Sequence, residues 1–257
     1  RVKIHAMQAE MPKRYWKNLP EAELIPALVR QAPARVETMI AGSKSQHPPD
    51  AAWRPAQPPE IRDLEALREA AARCTACPLY ENATQTVFGE GAPEAEVVFV
   101  GEQPGDSEDR EGHPFIGPAG KLLDRALAEA GIDRDKVYVT NAVKHFKWEP
   151  RGKRRIHQKP SSRDIAACKP WLEAELIALQ PRVLVALGST AAETLIGTGV
   201  RVLRDRRQIL KGQFCPQTIV TVHPSSLLRA PDEAARAEAY ELFLRDLRFI
   251  ASVIASR

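Results

Sequence analysis

Three polar segments, each following a short run of β-type residues, carry the side chains best suited to chemistry. They are GEQPGD (101–106), Asn141 and HPSSLL (223–228). Carboxylate, amide and imidazole groups of this kind can pair with the polar edge of a ligand, transfer protons or stabilise developing charge. A turn with its capping residues would explain any one of these segments. The three together favour a shared cleft.

A basic run at residues 144–163 is a second chemical feature, with eight lysines and arginines against the single acid Glu149. Runs of this kind are often solvated, flexible loops. Here the run interrupts a segment rich in site-like residues, which favours a surface for a polyanion such as the DNA backbone. The net charge of +4 is mild, so the argument depends on where the charge lies.

The cysteines form a third feature, with Cys74-x-x-Cys77 as a local pair and Cys168 and Cys215 standing alone. A Cys-x-x-Cys pair fits zinc, an iron–sulfur cluster or redox use equally well. Four cysteines in 257 residues do not resemble a secreted disulfide scaffold, so we expect metal ligation or catalysis in a reducing cytoplasm. Cys215 has no partner in this pattern and is predicted to be a packed thiol.

Alternating strands and helices must position these residues. Strands are predicted at 96–100, 136–140, 182–188 and 218–222, and helices at 61–74, 118–131, 162–179, 189–197 and 231–255. This alternation predicts an α/β fold of three layers, α/β/α, with a central four-stranded parallel sheet. Ligands bind beyond the carboxyl ends of such strands, which places the three polar segments in one cleft. Gly188-Ser189-Thr190 is more typical of a tight turn and helix cap than of a site.

The chain divides at a Pro-rich stretch, residues 47–60, which cannot propagate a helix and is predicted to be a linker. Residues 1–46 have an amphipathic helical pattern, and residues 61–257 hold the α/β domain. The sequence contains no run of about 18 apolar residues, which is the length that a membrane span needs. It also has no signal-peptide layout. A start at Arg1 suggests a piece of a longer protein.

Several motifs together resemble a known family. GEQPGD, GHPFIGPAGKLLD (112–124), TNAVK (140–144) and HPSSLLR (223–229) resemble motifs of the iron–sulfur uracil-DNA glycosylases. KRRIH (153–157) resembles the loop that marks the UdgX branch, whose members bond covalently to uracil-DNA. The resemblance covers about residues 61–255. It implies a uracil-DNA-glycosylase-like fold in a monomer, with uracil-containing DNA, preferably single-stranded, as partner.

The resemblance also implies a role for each cleft residue once uracil is drawn into a pocket. Phe115 would stack on the base, and the Asn141 amide would pair with its edge, offering both a donor and an acceptor. His223 would donate to the uracil O2 as negative charge develops there. Gln103 and the backbone of Pro104–Asp106 would contact uracil or hold the attacking geometry. The plainer alternatives are a core Phe, a turn-forming Asn and a structural His.

The most specific implication concerns His157 of KRRIH, which would attack the sugar C1′ in place of water. Glu102 would orient the ring and stabilise positive charge on it. A ring nitrogen bonded to C1′ has no easy departure route, so a single-turnover adduct is expected. Alternatively, KRRIH is a generic phosphate-binding loop, and the chain is an ordinary turnover glycosylase or a non-catalytic binder of uracil or single-stranded DNA.

The resemblance places further residues on the DNA around the flipped nucleotide. Arg229 could fill the gap that the base leaves in the strand. The other expected contacts with phosphate or substrate are Lys153, Arg154, Arg155, Ser225 and Ser226.

A 4Fe–4S cluster held by Cys74, Cys77, His145 and Cys168 follows from the same resemblance. The family places a cysteine where this chain has His145, and histidine replaces thiolates at other iron–sulfur centres. The cluster is expected to be structural. A zinc site with the same four ligands is the alternative.

Residues 11–29, MPKRYWKNLPEAELIPALV, resemble the tail of a domain that some bacterial chains of this branch carry in front. A truncated helix with an exposed apolar face is the plainer alternative.

Overall fold

A computed structural model describes residues 53–256 of the chain. The expectations for residues 1–46, and for residues 47–52 of the predicted linker, lie outside the described residues.

A six-stranded sheet forms the centre of the described domain, with a separate hairpin beside it. Four central strands run parallel in the order β3-β2-β6-β8, which confirms the predicted parallel sheet. Two-residue strands pair antiparallel at each edge, and runs this short carry no periodicity from which they could be predicted. The strands are β1 (Glu90–Gly91), β2 (Val97–Gly101), β3 (Val137–Asn141), β4 (Trp148–Arg151), β5 (Arg154–His157), β6 (Val183–Leu187), β7 (Ile209–Leu210) and β8 (Thr218–Thr221).

Helices cover both faces of this sheet. The predicted helix at 162–179 is observed with those bounds, and the Ser161 side chain caps it by accepting from the Asp164 N–H. No described helix is both long and apolar enough to cross a membrane. The helices are α1 (Leu64–Ala71), α2 (Leu79–Asn82), α3 (Asp106–Glu111), α4 (Pro118–Glu129), α5 (Ser162–Leu179), α6 (Ser189–Leu195), α7 (Val202–Asp205), α8 (Pro224–Leu228) and α9 (Glu233–Ala255).

Alternate side chains of the central strands supply two separate cores. Phe99 of β2 packs with Leu123 of α4 and Phe243 of α9 on one face. Val98 of the same strand packs with Leu172 of α5 on the other face. Because helices bury both faces, the strands read as unbroken apolar runs. The three-layer α/β/α arrangement is therefore confirmed.

Part of the predicted linker packs on the domain. The indole Nε1 of Trp53 donates to the Asp164 carboxylate at 2.9 Å, and the Ala56 N–H donates to the Ala167 carbonyl at 2.8 Å. Ala56 is buried. At least residues 53–56 therefore belong with the domain, although their prolines correctly excluded a helix.

The basic run forms a β-hairpin, β4–β5, in place of the predicted loop. Trp148 pairs with His157 and Arg151 with Arg154, and Gly152 takes a φ of 60° in the turn between the strands. Pro150 and the charged residues hide the strand signal, because neither strand alternates apolar with polar side chains.

Lys144, at the start of the basic run, is not on the surface. Its ammonium is buried and bonds to the buried Glu175 carboxylate of α5, to the Thr140 hydroxyl at 2.6 Å and to the Asn141 carbonyl at 2.8 Å. Lys147 pairs with Asp164 at 2.8 Å. These two lysines stabilise the fold, so the basic run has fewer free charges than its sequence suggests.

Candidate active site

A cleft of about 910 Å³ opens at the carboxyl edge of the parallel strands. The positional argument from sequence placed three polar segments at this edge, and all three contribute to the lining. The predicted site residues that line the cleft are Glu102, Gln103, Asp106, Phe115, Asn141, His157, His223, Ser225, Ser226 and Arg229.

Gly101, the last residue of β2, forms a point at which three predicted side chains converge. A Cβ there would lie 2.4 Å from Asn141 Oδ1, 2.8 Å from Phe115 Cζ and 3.4 Å from His223 Nε2. The rings of Phe115 and His223 are stacked, with their centroids 6.1 Å apart. Because Gly101 has no side chain, an aromatic ring, an amide and an imidazole can approach one point at the edge of the cleft.

The backbone around Phe115 is fixed by close packing. Phe115 has a φ of 59°, in the left-handed region that side chains rarely adopt. Gly120 of α4 packs directly behind it, where a Cβ would lie 1.5 Å from the Phe115 carbonyl oxygen. The helix thus presses the loop into a conformation that turns the ring toward the cleft.

Asn141 brings an uncommitted amide to the cleft. Its residue is only 3% exposed, and its backbone carbonyl accepts from Lys144. Within residues 53–256, no hydrogen bond satisfies its side-chain amide. The amide opens onto the cleft, so it is available to hydrogen-bond a ligand that enters there.

His223 is held as a neutral imidazole of defined tautomer. Its Nδ1 accepts from the Ser225 backbone N–H at 3.1 Å, so the ring proton lies on Nε2, the atom that faces the Gly101 point. Burial, with smaller contributions from Arg229 and His157, lowers the pKa of His223 to about 4. At neutral pH this ring is therefore a hydrogen-bond donor without a positive charge.

His157 reaches the cleft from the end of β5. Its Nε2 lies 3.5 Å from Glu102 Oε1, and its ring lies against Phe146 with centroids 6.0 Å apart. Burial lowers the pKa of His157, although Glu102 opposes this effect and Arg229 adds to it. The imidazole is therefore largely neutral at pH 7, with a carboxylate beside it that would stabilise its cationic form.

Thr190 of α6 is a site residue that the sequence interpretation missed. Its hydroxyl donates to Glu102 Oε2, which leaves Oε1 facing His157. Gly188, Ser189 and Thr190 all line the cleft, so the prediction that this segment is only a turn and cap was wrong. Gly188 has a φ of 87° and is the N-cap of α6, as a turn and helix cap require. That local pattern gives no sign of the contact between Thr190 and Glu102.

Gln103 fastens the base of the hairpin. Its Nε2 donates to the carbonyls of Lys147 at 3.2 Å and Gln158 at 3.0 Å, and its Oε1 accepts from the Lys147 N–H at 3.1 Å. The amide is buried and its hydrogen bonds are directed at the hairpin. Its expected role, contact with uracil or holding the attacking geometry, stays a prediction.

Arg155 differs from its expected role as a phosphate contact. Its guanidinium is 13% exposed and pairs with Asp106 and, at 2.6 Å, with Asp109 of α3. It also lies 5.4 Å from the ring centroids of Phe146 and Trp148. The Asp106 carboxylate is occupied by this pair and by Arg110 at 2.9 Å, and the two arginines lower its pKa despite partial burial. The expected contact with substrate concerns the backbone of Pro104–Asp106, which lines the cleft.

The remaining cations of the hairpin stay available to a partner. Lys153 and Arg154 lie at the turn, are exposed and make no ion pair within the described residues.

Arg229 lies in the cleft and donates to the Ser225 hydroxyl at 3.2 Å. Ser226, also expected to meet phosphate, donates its hydroxyl to the His223 carbonyl at 2.7 Å.

Three cysteines come together away from the cleft. Cys74 and Cys168 pack in one apolar cluster with Trp171, and Cys77 follows Cys74 by three residues. Cys74 Sγ accepts from the Trp171 indole at 3.1 Å, and Cys168 Sγ accepts from the Lys144 N–H at 3.2 Å. Burial raises the pKa of Cys168 to about 12 and that of Cys77 to about 11, so a metal would have to displace their protons.

His145 has a partner outside the thiol group. Its Nε2 lies 2.9 Å from the Thr86 hydroxyl, and burial lowers its pKa to about 4. In the part of the chain that the structure describes, no three His, Cys, Asp or Glu side chains are arranged to hold a metal ion. Cys215 is buried apart from the other cysteines, with its sulfur 3.1 Å from the Arg182 carbonyl.

The comparisons with known proteins agree on one family. The family model described as the uracil DNA glycosylase superfamily matches residues 88–248. A type-4 uracil-DNA glycosylase of Thermotoga maritima is 41% identical over 167 residues, covering 65% of this chain and 83% of the relative. One of Pyrobaculum aerophilum is 36% identical, covering 72% and 91%. A type-5 uracil-DNA glycosylase of Thermus thermophilus is 36% identical, covering 43% and 53%.

The state of His223 can be measured by ¹⁵N NMR. We expect an Nε2–H tautomer that protonates only near pH 4, because burial lowers its pKa. The unfolded chain takes up the same proton near the reference pKa of about 6.5, so this residue makes the fold less stable as pH falls from about 6.5 to about 4. Arg229→Gln should raise the pKa only slightly, since burial is the larger cause. Titration of His223 near pH 6.5 would contradict this description.

Proposed function

Because this chain belongs to the uracil-DNA glycosylase superfamily, we propose that it recognises uracil in DNA, cleaves the N-glycosidic bond and bonds His157 covalently to deoxyribose C1′. The type-4 uracil-DNA glycosylases at up to 41% identity support the excision step. The observation that carries the covalent step is the position of His157 beside Glu102, in the cleft where Phe115, Asn141 and His223 converge.

Uracil is recognised in the part of the cleft where Phe115, Asn141 and His223 meet beside Gly101. Phe115 offers a face on which the flipped base stacks, and such stacking contributes roughly 1–3 kcal/mol. The uncommitted Asn141 amide pairs with the base edge, donating to a carbonyl and accepting from the ring N–H. Cytosine presents the reverse order of donor and acceptor at these positions, which the amide in this orientation does not match.

Cleavage of the bond between C1′ and the base sends the electron pair to uracil. The negative charge that grows on the uracil O2 is stabilised by the Nε2–H of His223, which the Ser225 N–H holds in the required tautomer. Since His223 remains neutral, it stabilises the leaving group by hydrogen bonding, and the uracil anion later takes its proton from water.

His157 then attacks C1′. One ring nitrogen gives its lone pair to C1′ while the other keeps its hydrogen, so the ring becomes an imidazolium cation. Glu102 lies beside this ring, and Thr190 holds the carboxylate in place. An N-alkylated imidazole is a poor leaving group, so the reaction stops after a single turnover. DNA approaches along the exposed Lys153–Arg154 turn, and a monomer acting preferentially on single strands is part of this proposal.

A denaturing gel distinguishes this reaction from its rivals. Wild-type protein mixed with uracil-containing single-stranded DNA should give a band shift that survives heat and detergent. His157→Ala should lower the adduct yield by about 100-fold or more, because the attacking group is gone. His113→Ala is the matched control, since His113 is an exposed imidazole paired with Glu90 at 2.6 Å. It should leave the yield unchanged.

Other outcomes identify the alternatives. Free uracil released over many turnovers without a shifted band would indicate a turnover glycosylase. Uracil-specific retention on a native gel, with neither product, would indicate a binding module. An undiminished adduct in His157→Ala would assign the attack to another nucleophile.

We further propose that Cys74, Cys77, Cys168 and His145 hold a 4Fe–4S cluster. Two of these thiols, Cys74 and Cys168, receive N–H···S bonds of a kind that tunes iron–sulfur centres. The bond between His145 Nε2 and Thr86 resembles the orienting partner that metal-bound histidines usually have, and would leave Nδ1 for the metal. Such a cluster would tie the segment after α1 to α5 and brace the base of the hairpin.

Metal and sulfide analysis tests the cluster. Protein purified without oxygen should be brown and contain iron and acid-labile sulfide, and Cys168→Ser should lose most of both. Cys215→Ser is the control, because Cys215 is buried apart from the other three, and it should retain both. Colourless protein that contains zinc and no iron would contradict the proposal.

A further inference from the structure

Leu203 on α7 is an apolar side chain at the cleft that the proposed chemistry does not use. It is 75% exposed and lines the cleft together with Val202. Single exposed leucines are common on protein surfaces, but this one lies in the lining of the cleft, where a bound ligand would cover it. Leu203 and His157 line the same cleft, so a ligand large enough to fill the cleft would meet both.

The segment that carries Leu203 is firmly fixed. Asp205, at the end of α7, accepts from the Arg201 N–H at 2.7 Å and so closes the turn. Arg206 pairs at 2.6 Å with the buried Asp246 of α9, which also accepts from the Thr221 hydroxyl of β8. Leu203 is therefore displayed from a rigid support, which favours recognition without a large ordering cost.

Positive charge surrounds this leucine. Arg201 and Arg204 are both exposed, and Arg204 keeps 68% of its side chain accessible although it pairs with Asp205. Arginines beside an exposed aliphatic side chain match a nucleic-acid strand, in which phosphates alternate with flat apolar base faces. A second protein chain or a lipid surface would not explain why the combination borders this cleft.

We propose that Leu203, Arg201 and Arg204 form a contact surface for the DNA strand next to the flipped uracil. Leu203 packs against the face of the neighbouring base, and the two arginines meet the adjoining phosphates. Leu228 at the end of α8 and Arg229 after it line the same cleft from a different element, so Leu203 supplies a second contact with the strand. This inference rests on the proposed function, because it takes uracil-containing DNA as the occupant of the cleft.

The test removes either the leucine or the base that it contacts. Fluorescence anisotropy would measure binding to a single strand in which 2′-fluoro-deoxyuridine resists cleavage, so that binding stays reversible. A second strand would carry base-free sugars on each side of the uridine in turn. Wild-type protein should bind the intact strand about tenfold more tightly than one of the base-free strands, because the apolar contact is lost.

Leu203→Ser should lose this discrimination and bind both strands alike, with its fold checked by thermal melting. Ile177→Ser, at a 51% exposed aliphatic residue of α5 outside the cleft, is the matched control and should discriminate as wild type does. Discrimination that persists in Leu203→Ser, or is absent from wild type, would overturn the inference. Equal binding of uracil and thymine strands would instead overturn the proposed function, while the comparison of intact with base-free neighbours would still report on Leu203.

Discussion

The ion pairs of Arg155, one of them with the buried Asp109, fix the hairpin that carries His157 to the cleft. A two-stranded hairpin is marginal by itself, and β4–β5 has few apolar residues with which to pack. Arg155 compensates by pairing with Asp106 and the fully buried Asp109, while Gln103 holds the two ends of the hairpin together. Removing one partner of a buried pair typically costs about 3–5 kcal/mol. This anchoring gives His157 a defined position beside Glu102.

The hairpin holds His157 in a fixed position, whereas the parallel sheet provides the open cleft that a ligand enters. Four strands end at one edge, and Gly101 leaves room there for Asn141 and His223 to reach the same point. The electrostatic surroundings of His157 and His223 suit the two rings to different tasks. Burial and Arg229 keep both rings largely neutral, but only His157 has a carboxylate beside it. One ring is suited to donating a hydrogen bond to a leaving group, and the other to accepting positive charge.

The sequence predicted the sheet and the cleft well because both follow from local patterns. Apolar runs marked the strands, and polar residues after them marked the edge. It failed where a residue's role depends on distant partners. Lys144 and Arg155 looked like DNA contacts, but their carboxylates lie far along the chain, at Glu175 and at Asp109. Thr190 was concealed for the same reason, since its contact with Glu102 crosses from one strand end to another.

The central claim is that His157 itself becomes bonded to the sugar, and peptide mapping of the product tests it most directly. The adduct would be trimmed with nuclease, digested with trypsin and sequenced by tandem mass spectrometry. Because trypsin cuts poorly before Pro160, the decisive peptide is IHQKPSSR (156–163), in which His157 is the one imidazole. We predict that this peptide is heavier by the mass of a deoxyribose phosphate, and that the fragment ions place the added group on the His157 side chain. A sugar found on any other residue, or an unmodified peptide from isolated adduct, would contradict it.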